Sequence, residues 1–93
     1  MTRTIVTVSG IVQGVGFRYS VLRIAARHAV AGTVRNVRDG ERVEIDAEGE
    51  AHAVAAFVAD VLANPPAGAR IDRVDQAGAA PRQLTEFSFA PTV

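Results

Sequence analysis

Three observations predict an α+β sandwich. Apolar residues recur with a period of two in short β-branched runs and near 3.6 in two alanine-rich runs, in the order β-α-β-β-α-β plus a short further strand. Asp39-Gly40 sits between the second and third strand runs, where it favours a two-residue hairpin turn. A stretch with Gly10, Gly14 and Gly16 separates the first strand from the first helix, and Asn64-Pro65-Pro66 ends the second helix. That order is the split βαβ, ferredoxin-like sandwich: an antiparallel sheet with two helices on one face and a short fifth strand.

The first strand is read from Ile5 to Ser9, with Val6 and Val8 on one face and Ile5 and Thr7 on the other. The first helix is read from Phe17 to Ala29, because Phe17, Val21, Ile24 and Ala25 share a face while Arg23 and Arg27 can meet water. His28 falls in its last turn, where a protonated imidazole would interact favourably with the helix C-terminus. Strands follow at Thr33 to Arg38 and Arg42 to Glu48, in a register that sets Asn36 opposite Val43 and Val34 opposite Ile45. The second helix, Glu50 to Ala63, carries Val54, Phe57, Val58, Val61 and Leu62 as one apolar stripe, with His52 outside it. Arg70 to Gln76 reads as a fourth strand with Asp72 and Arg73 solvated, Gly78 to Pro81 as a turn, and Thr85 to Ala90 as the short fifth strand.

A chain of 93 residues supports one modest core, so residues 1–93 are read as a single domain. Ten basic residues balance ten acidic ones, which leaves no broad field to attract nucleic acid or an anionic membrane. All ten are arginines, so lysine Schiff-base chemistry and a Walker-type phosphate lysine are excluded. The absence of cysteine excludes thiolate nucleophiles and disulfides, and fits a reducing compartment. With no apolar leader and no apolar run of about 18 residues, the expected location is the cytoplasm. A chain this small can act as a monomer.

Val8 to Tyr19 concentrates the chemistry. Glycines after a strand can mark only a tight turn, or can let successive N–H groups turn inward as an anion nest, reinforced by the N-terminus of the helix that follows. Arg18 would add a full charge and a planar fork of donors matched to phosphate oxygens. In the predicted topology the first and second strands run parallel with the third between them, so their C-terminal ends share one edge. The glycine loop and Asn36 then converge beside the N-terminus of the first helix. An asparagine on the face of Val34 either satisfies nearby turn backbone or serves that site.

Val-Ser-Gly-Ile-Val-Gln-Gly-Val-Gly-Phe-Arg (8 to 18), Gly-Thr-Val-Arg-Asn (32 to 36) and Asp-Gly-Glu-Arg-Val-Glu (39 to 44) together resemble the acylphosphatase family, and the likeness extends through Pro65-Pro66 and Ala69 to Val74. The resemblance implies a small hydrolase without metal or cofactor that cleaves the carboxyl-phosphate bond of acyl phosphates. It places the family's essential arginine on Arg18 and its essential asparagine on Asn36. It also assigns the backbone amides of Gly14, Val15, Gly16, Phe17 and Arg18 to the phosphoryl oxygens. The expected partners are a small acyl phosphate and inorganic phosphate. Tyr19-Ser20 after Arg18 reads like the free-standing enzyme rather than the related domain that opens larger carbamoyl-phosphate-processing proteins.

Three positions depart from the family pattern. Thr33 stands where an aromatic residue is common, Ala29 where a glycine ends the first helix, and one extra residue lies near Glu41 and Arg42. A left-handed Ala29 would cost roughly 1 kcal/mol, so a rearranged cap is expected, and the extra residue invites a bulge. Two other functional classes fit the fold: a non-catalytic anion-binding module, and an RNA-binding sandwich. The first and third strands lack the stacking aromatics the latter needs.

Overall fold

A computed structural model describes residues 1–93. The elements are β1 (Thr2–Ile11), α1 (Phe17–Ala25), β2 (Val30–Asn36), β3 (Arg42–Gly49), α2 (Ala51–Ala63), β4 (Arg70–Ala79) and β5 (Phe87–Phe89). They form one five-stranded sheet in the order β4-β1-β3-β2-β5, and the core lies between one face of it and the two helices. Val6 and Val8 of β1, Val34 of β2, and Val43, Ile45 and Ala47 of β3 point into that core. They meet Phe17, Val21 and Ile24 of α1 and Val54, Phe57 and Val61 of α2, as the two periodicities require.

Strand lengths follow from pairing rather than from local pattern. β1 is flanked on both sides, by β3 from Thr2↔Gly49 and by β4 to Ile11↔Arg70, so it extends past the predicted Ile5 to Ser9 into polar residues. The same pairing carries β4 past Gln76 through Gly78 and Ala79, which the sequence pattern assigns to a turn. The β2–β3 ladder sets Asn36 opposite Val43 and Val34 opposite Ile45, as predicted, and runs without a register shift. The extra residue near Glu41 is absorbed by the connecting loop instead of a bulge. There the Asp39 carboxylate accepts from the backbone N–H groups of Glu41 and Arg42 at 2.9 and 3.1 Å.

Two further readings are corrected. α1 ends at Ala25, not Ala29: Arg27 and His28 donate back three residues, to Ile24 and Ala25 carbonyls, and the chain turns so that Val30 can join the ladder opposite Gly49. Ala29 is not left-handed, since Gln83 is the one non-glycine residue with positive φ. The sheet is mixed rather than wholly antiparallel, because β5 pairs parallel to β2, at Gly32↔Phe87 through Val34↔Phe89.

The parallel pairing arises because residues 80–86 cross the sheet on the side away from the helices. Glu44, Asp46 and Glu48 of β3 face that side by alternation. Asp46 takes a bidentate pair of bonds from Arg3 at 2.9 and 2.7 Å and lies 3.2 Å from Arg82. Glu48, almost fully buried, accepts the backbone N–H groups of Arg82 and Gln83 at 3.1 and 2.8 Å. These contacts hold the crossing segment and deliver β5 to the far edge.

His28, displaced from the helix end, pairs with α2 instead: its Nε2 lies 2.9 Å from Asp60 Oδ2, and Arg27 and Asn64 also donate to that carboxylate. The hydrogen bond to His28 is the main cause holding the Asp60 carboxyl below its usual value, with Arg27 adding to it and desolvation opposing. A lowered folded pKa means the unfolded chain binds more protons, so this stabilisation is complete above about pH 4 and is lost as pH falls through the folded value. In thermal unfolding, Asp60→Asn should lie below the parent at neutral pH, and the gap should close below about pH 4.

Candidate active site

The loop between β1 and α1 is shaped by its glycines. Gly14 and Gly16 adopt φ of 73° and 79° while Val15 between them does not, a backbone alternation of the kind that gathers successive N–H groups into an anion nest. A Cβ built at either glycine would meet nothing within 4 Å. The requirement there is therefore for backbone conformation, and the space beside the loop is open to a ligand.

Gly16 is also the N-cap of α1, with no side-chain cap and no acidic residue in the first turn. The first N–H groups of a helix have no partner within it, so these donors and the positive end of the helix dipole are left for an anion. Phe17, fully buried, fixes the start of the helix in the core and thereby aims Arg18 outward. The Arg18 guanidinium forms no hydrogen bond or ion pair within the protein, and lies over the Phe89 ring, whose centroid is 5.3 Å from its central carbon.

Asn36 arrives from the end of β2. Its Oδ1 is buried and has no hydrogen-bond partner within the protein, an arrangement that is uncommon for a buried polar atom. A cleft of about 150 Å³ is lined by Gly14, Gly16, Phe17 and Arg18 from the loop and helix start, by Val12, Gln13 and Tyr19, and by Asn36. Pockets that enclose drug-sized ligands run to roughly 300–1,000 Å³, so this one suits a group of phosphoryl size. Of the residues assigned to phosphate binding and catalysis from the sequence, only Val15 is not on the lining, and its side chain packs against the edge of the core. A larger groove of about 830 Å³ runs from Tyr19 along α1 toward Glu86 and Phe87. Arg23 and Glu86 both lie on its lining, so it presents charges of both signs and is larger than a phosphoryl group needs.

Sequence reasoning missed Gln13. Its side-chain amide donates to the carbonyls of Val37 and Arg42, at 2.6 and 2.9 Å, and so ties the glycine loop to the base of the hairpin that carries Asn36. Gly10 adds a backbone bond to Glu41 at 3.0 Å. Gln13 stood inside the motif, but its partners are main-chain groups that only the fold brings near. Both carbonyls keep a second donor, Gly40 N–H on Val37 and Val37 N–H on Arg42, so losing Gln13 orphans neither. Gln13→Ala should cost only about 1 kcal/mol in denaturant unfolding, yet lower kcat/KM about tenfold by loosening one half of the cleft against the other.

The comparisons with known proteins agree on one family. The family model described as Acylphosphatase matches residues 4–89. An acylphosphatase of Nitrobacter hamburgensis is 49% identical over 94 residues, covering 95% of this chain and 93% of that one. The crystal structure of acylphosphatase from Bacillus subtilis superposes with a TM-score of 0.88 at 35% identity, over 97% and 99% of the two chains. The crystal structure of full-length HypF in its phosphate- and nucleotide-bound form matches 98% of this chain with a TM-score of 0.85 at 29% identity. This chain corresponds to 12% of that one.

Proposed function

The chain belongs to the acylphosphatase family of hydrolases, and from that premise we propose that residues 1–93 act as one metal-independent domain that hydrolyses small acyl phosphates to carboxylate and inorganic phosphate. Arg18 and the backbone amides of Gly14 through Arg18 clamp the phosphoryl group, and Asn36 orients the attacking water. The observation that carries this reading is the shared cleft. It sets an unpaired guanidinium and a left-handed glycine loop against a buried asparagine oxygen with no partner in the protein.

The chemistry fits what these groups can do. The leaving carboxylate has a conjugate acid of pKa about 4, so no strong general acid is required. What remains is to place water in line with phosphorus and to stabilise charge on the equatorial oxygens, which is positioning and electrostatics. Asparagine is not a base at neutral pH. The water proton therefore passes to a phosphoryl oxygen as the new P–O bond forms, and the bond to the acyl oxygen breaks with its electron pair leaving on the carboxylate.

Release of inorganic phosphate from benzoyl phosphate, with and without excess chelator, tests the proposal. Turnover insensitive to chelator and competitively inhibited by inorganic phosphate is the expected result. Binding of phosphate without any turnover would instead make the chain an anion-binding module. No helix is long and apolar enough to cross a membrane. A cytoplasmic location, a monomeric state and the absence of a nucleic-acid partner complete the proposal, the last supported by the neutral charge balance.

A further inference from the structure

We propose that Phe89 is a positioning residue that holds the Arg18 guanidinium ready for phosphate. This rests on the reading of Arg18 as the phosphoryl clamp. Phe87 and Phe89 are two residues apart on β5 and so share its helix-facing side. Phe87 packs against Phe57 of the core, with ring centroids 5.4 Å apart. Phe89 lies beyond the core at the loop end of α1, where Tyr19 meets it edge-on at 5.0 Å and Arg18 lies over its face at 5.3 Å.

Burial does not account for this aromatic pair, since Phe89 is 39% exposed and Tyr19 65%. Attraction between the guanidinium and the ring quadrupole does, and Tyr19 braces the ring from the side. The choice of an aromatic partner matters chemically. A carboxylate would hold Arg18 by occupying its N–H donors and offsetting its charge, whereas a ring takes no hydrogen bond to an oxygen acceptor and leaves the charge unneutralised for phosphoryl oxygens. A long, unpaired arginine otherwise loses rotamer freedom when it binds, and holding it beforehand lowers that cost.

The same strand pair also serves the other half of the site. β5 aligns Phe89 with Val34, two residues before Asn36, and the tail continues alongside β2 as the Val93 N–H donates to the Asn36 carbonyl at 3.1 Å. The platform for Arg18 and the backbone of Asn36 are thus set by one ladder.

The test measures inorganic phosphate affinity by calorimetry, and kcat and KM with benzoyl phosphate, for Phe89→Leu, Phe89→Tyr, Arg18→Ala and a protein with pentafluorophenylalanine at position 89. The fluorinated ring keeps the shape and reverses the quadrupole, so it separates attraction from packing and guards against a leucine variant that does not fold. The expected result is a roughly three- to tenfold rise in phosphate Kd and in KM for the leucine and fluorinated proteins, with kcat much less affected and Phe89→Tyr restoring affinity. A fluorinated protein that binds phosphate like the parent, while Arg18→Ala loses binding, overturns the role of Phe89 alone. If Arg18→Ala keeps parental phosphate affinity, the reading of Arg18 itself is wrong and the role of Phe89 falls with it.

Discussion

Arg18→Ala should lower kcat/KM for benzoyl phosphate by about 10³-fold or more while leaving thermal stability within about 0.5 kcal/mol of the parent. The first half of that expectation comes from electrostatics. In the proposed site Arg18 is the only full positive charge on the cleft, and the phosphoryl group gains charge on its equatorial oxygens as the reaction proceeds. The loop amides supply partial charges that are fixed in place, but a guanidinium adds charge-assisted bonds that strengthen as the oxygens become more negative. The second half comes from the structure of the side chain itself, which bonds to no other protein group and touches mainly an exposed ring. Arg18→Lys should recover little activity, because an ammonium offers charge without the planar fork. Inorganic phosphate should cease to compete in both variants. Steady-state kinetics with added phosphate, run beside thermal unfolding, measures the two halves together. A variant that loses activity and stability in step would instead make Arg18 a structural residue.

The parts of this molecule that were legible in the sequence are those set by local pattern. The stripe of α2 and the alternation of β2 and β3 are periodic enough to give their elements and, through Asp39-Gly40, the pairing of Asn36 with Val43. The glycine loop and Arg18 were legible because conformational need and charge are written into residue type. What could not be read depended on distant partners. Ala26 to Ala29 is good helix-forming sequence, but the turn there is imposed by Val30 joining Gly49. The far end of β4 is strand because β1 completes its ladder, and β1 is extended at its start by both β3 and β4 and at its end by β4. The parallel docking of β5 depends on Glu48 and Asp46 gripping a crossing segment more than thirty residues further along, a long-range polar contact with no local signature. Gln13 belongs to the same class, since a side chain whose partners are carbonyls gives no sign of them in the sequence.

Asn36→Ala should lower kcat by about 10²- to 10³-fold with little change in KM or in phosphate affinity, and should cost almost no stability. The kinetic expectation separates this residue from Arg18. If Asn36 orients water rather than gripping phosphate, its contribution is made as the water approaches phosphorus, so truncation removes positioning without weakening ground-state binding. The stability expectation follows from the unpartnered oxygen. Removing a buried acceptor that makes no bond within the protein also removes its desolvation penalty, which offsets the lost packing of the amide. A protein that becomes slower without becoming weaker is the pattern of a residue kept for function against its own structural cost. Asn36→Asp gives an independent reading of the same geometry. A carboxylate of nearly the same shape would face the phosphoryl group across a cleft of only about 150 Å³, and like charges at that range repel. It should therefore raise the inhibition constant for phosphate as well as lower kcat, where alanine lowers kcat alone. If both variants bound phosphate and turned over substrate like the parent, water would be held elsewhere, and Asn36 would only terminate β2.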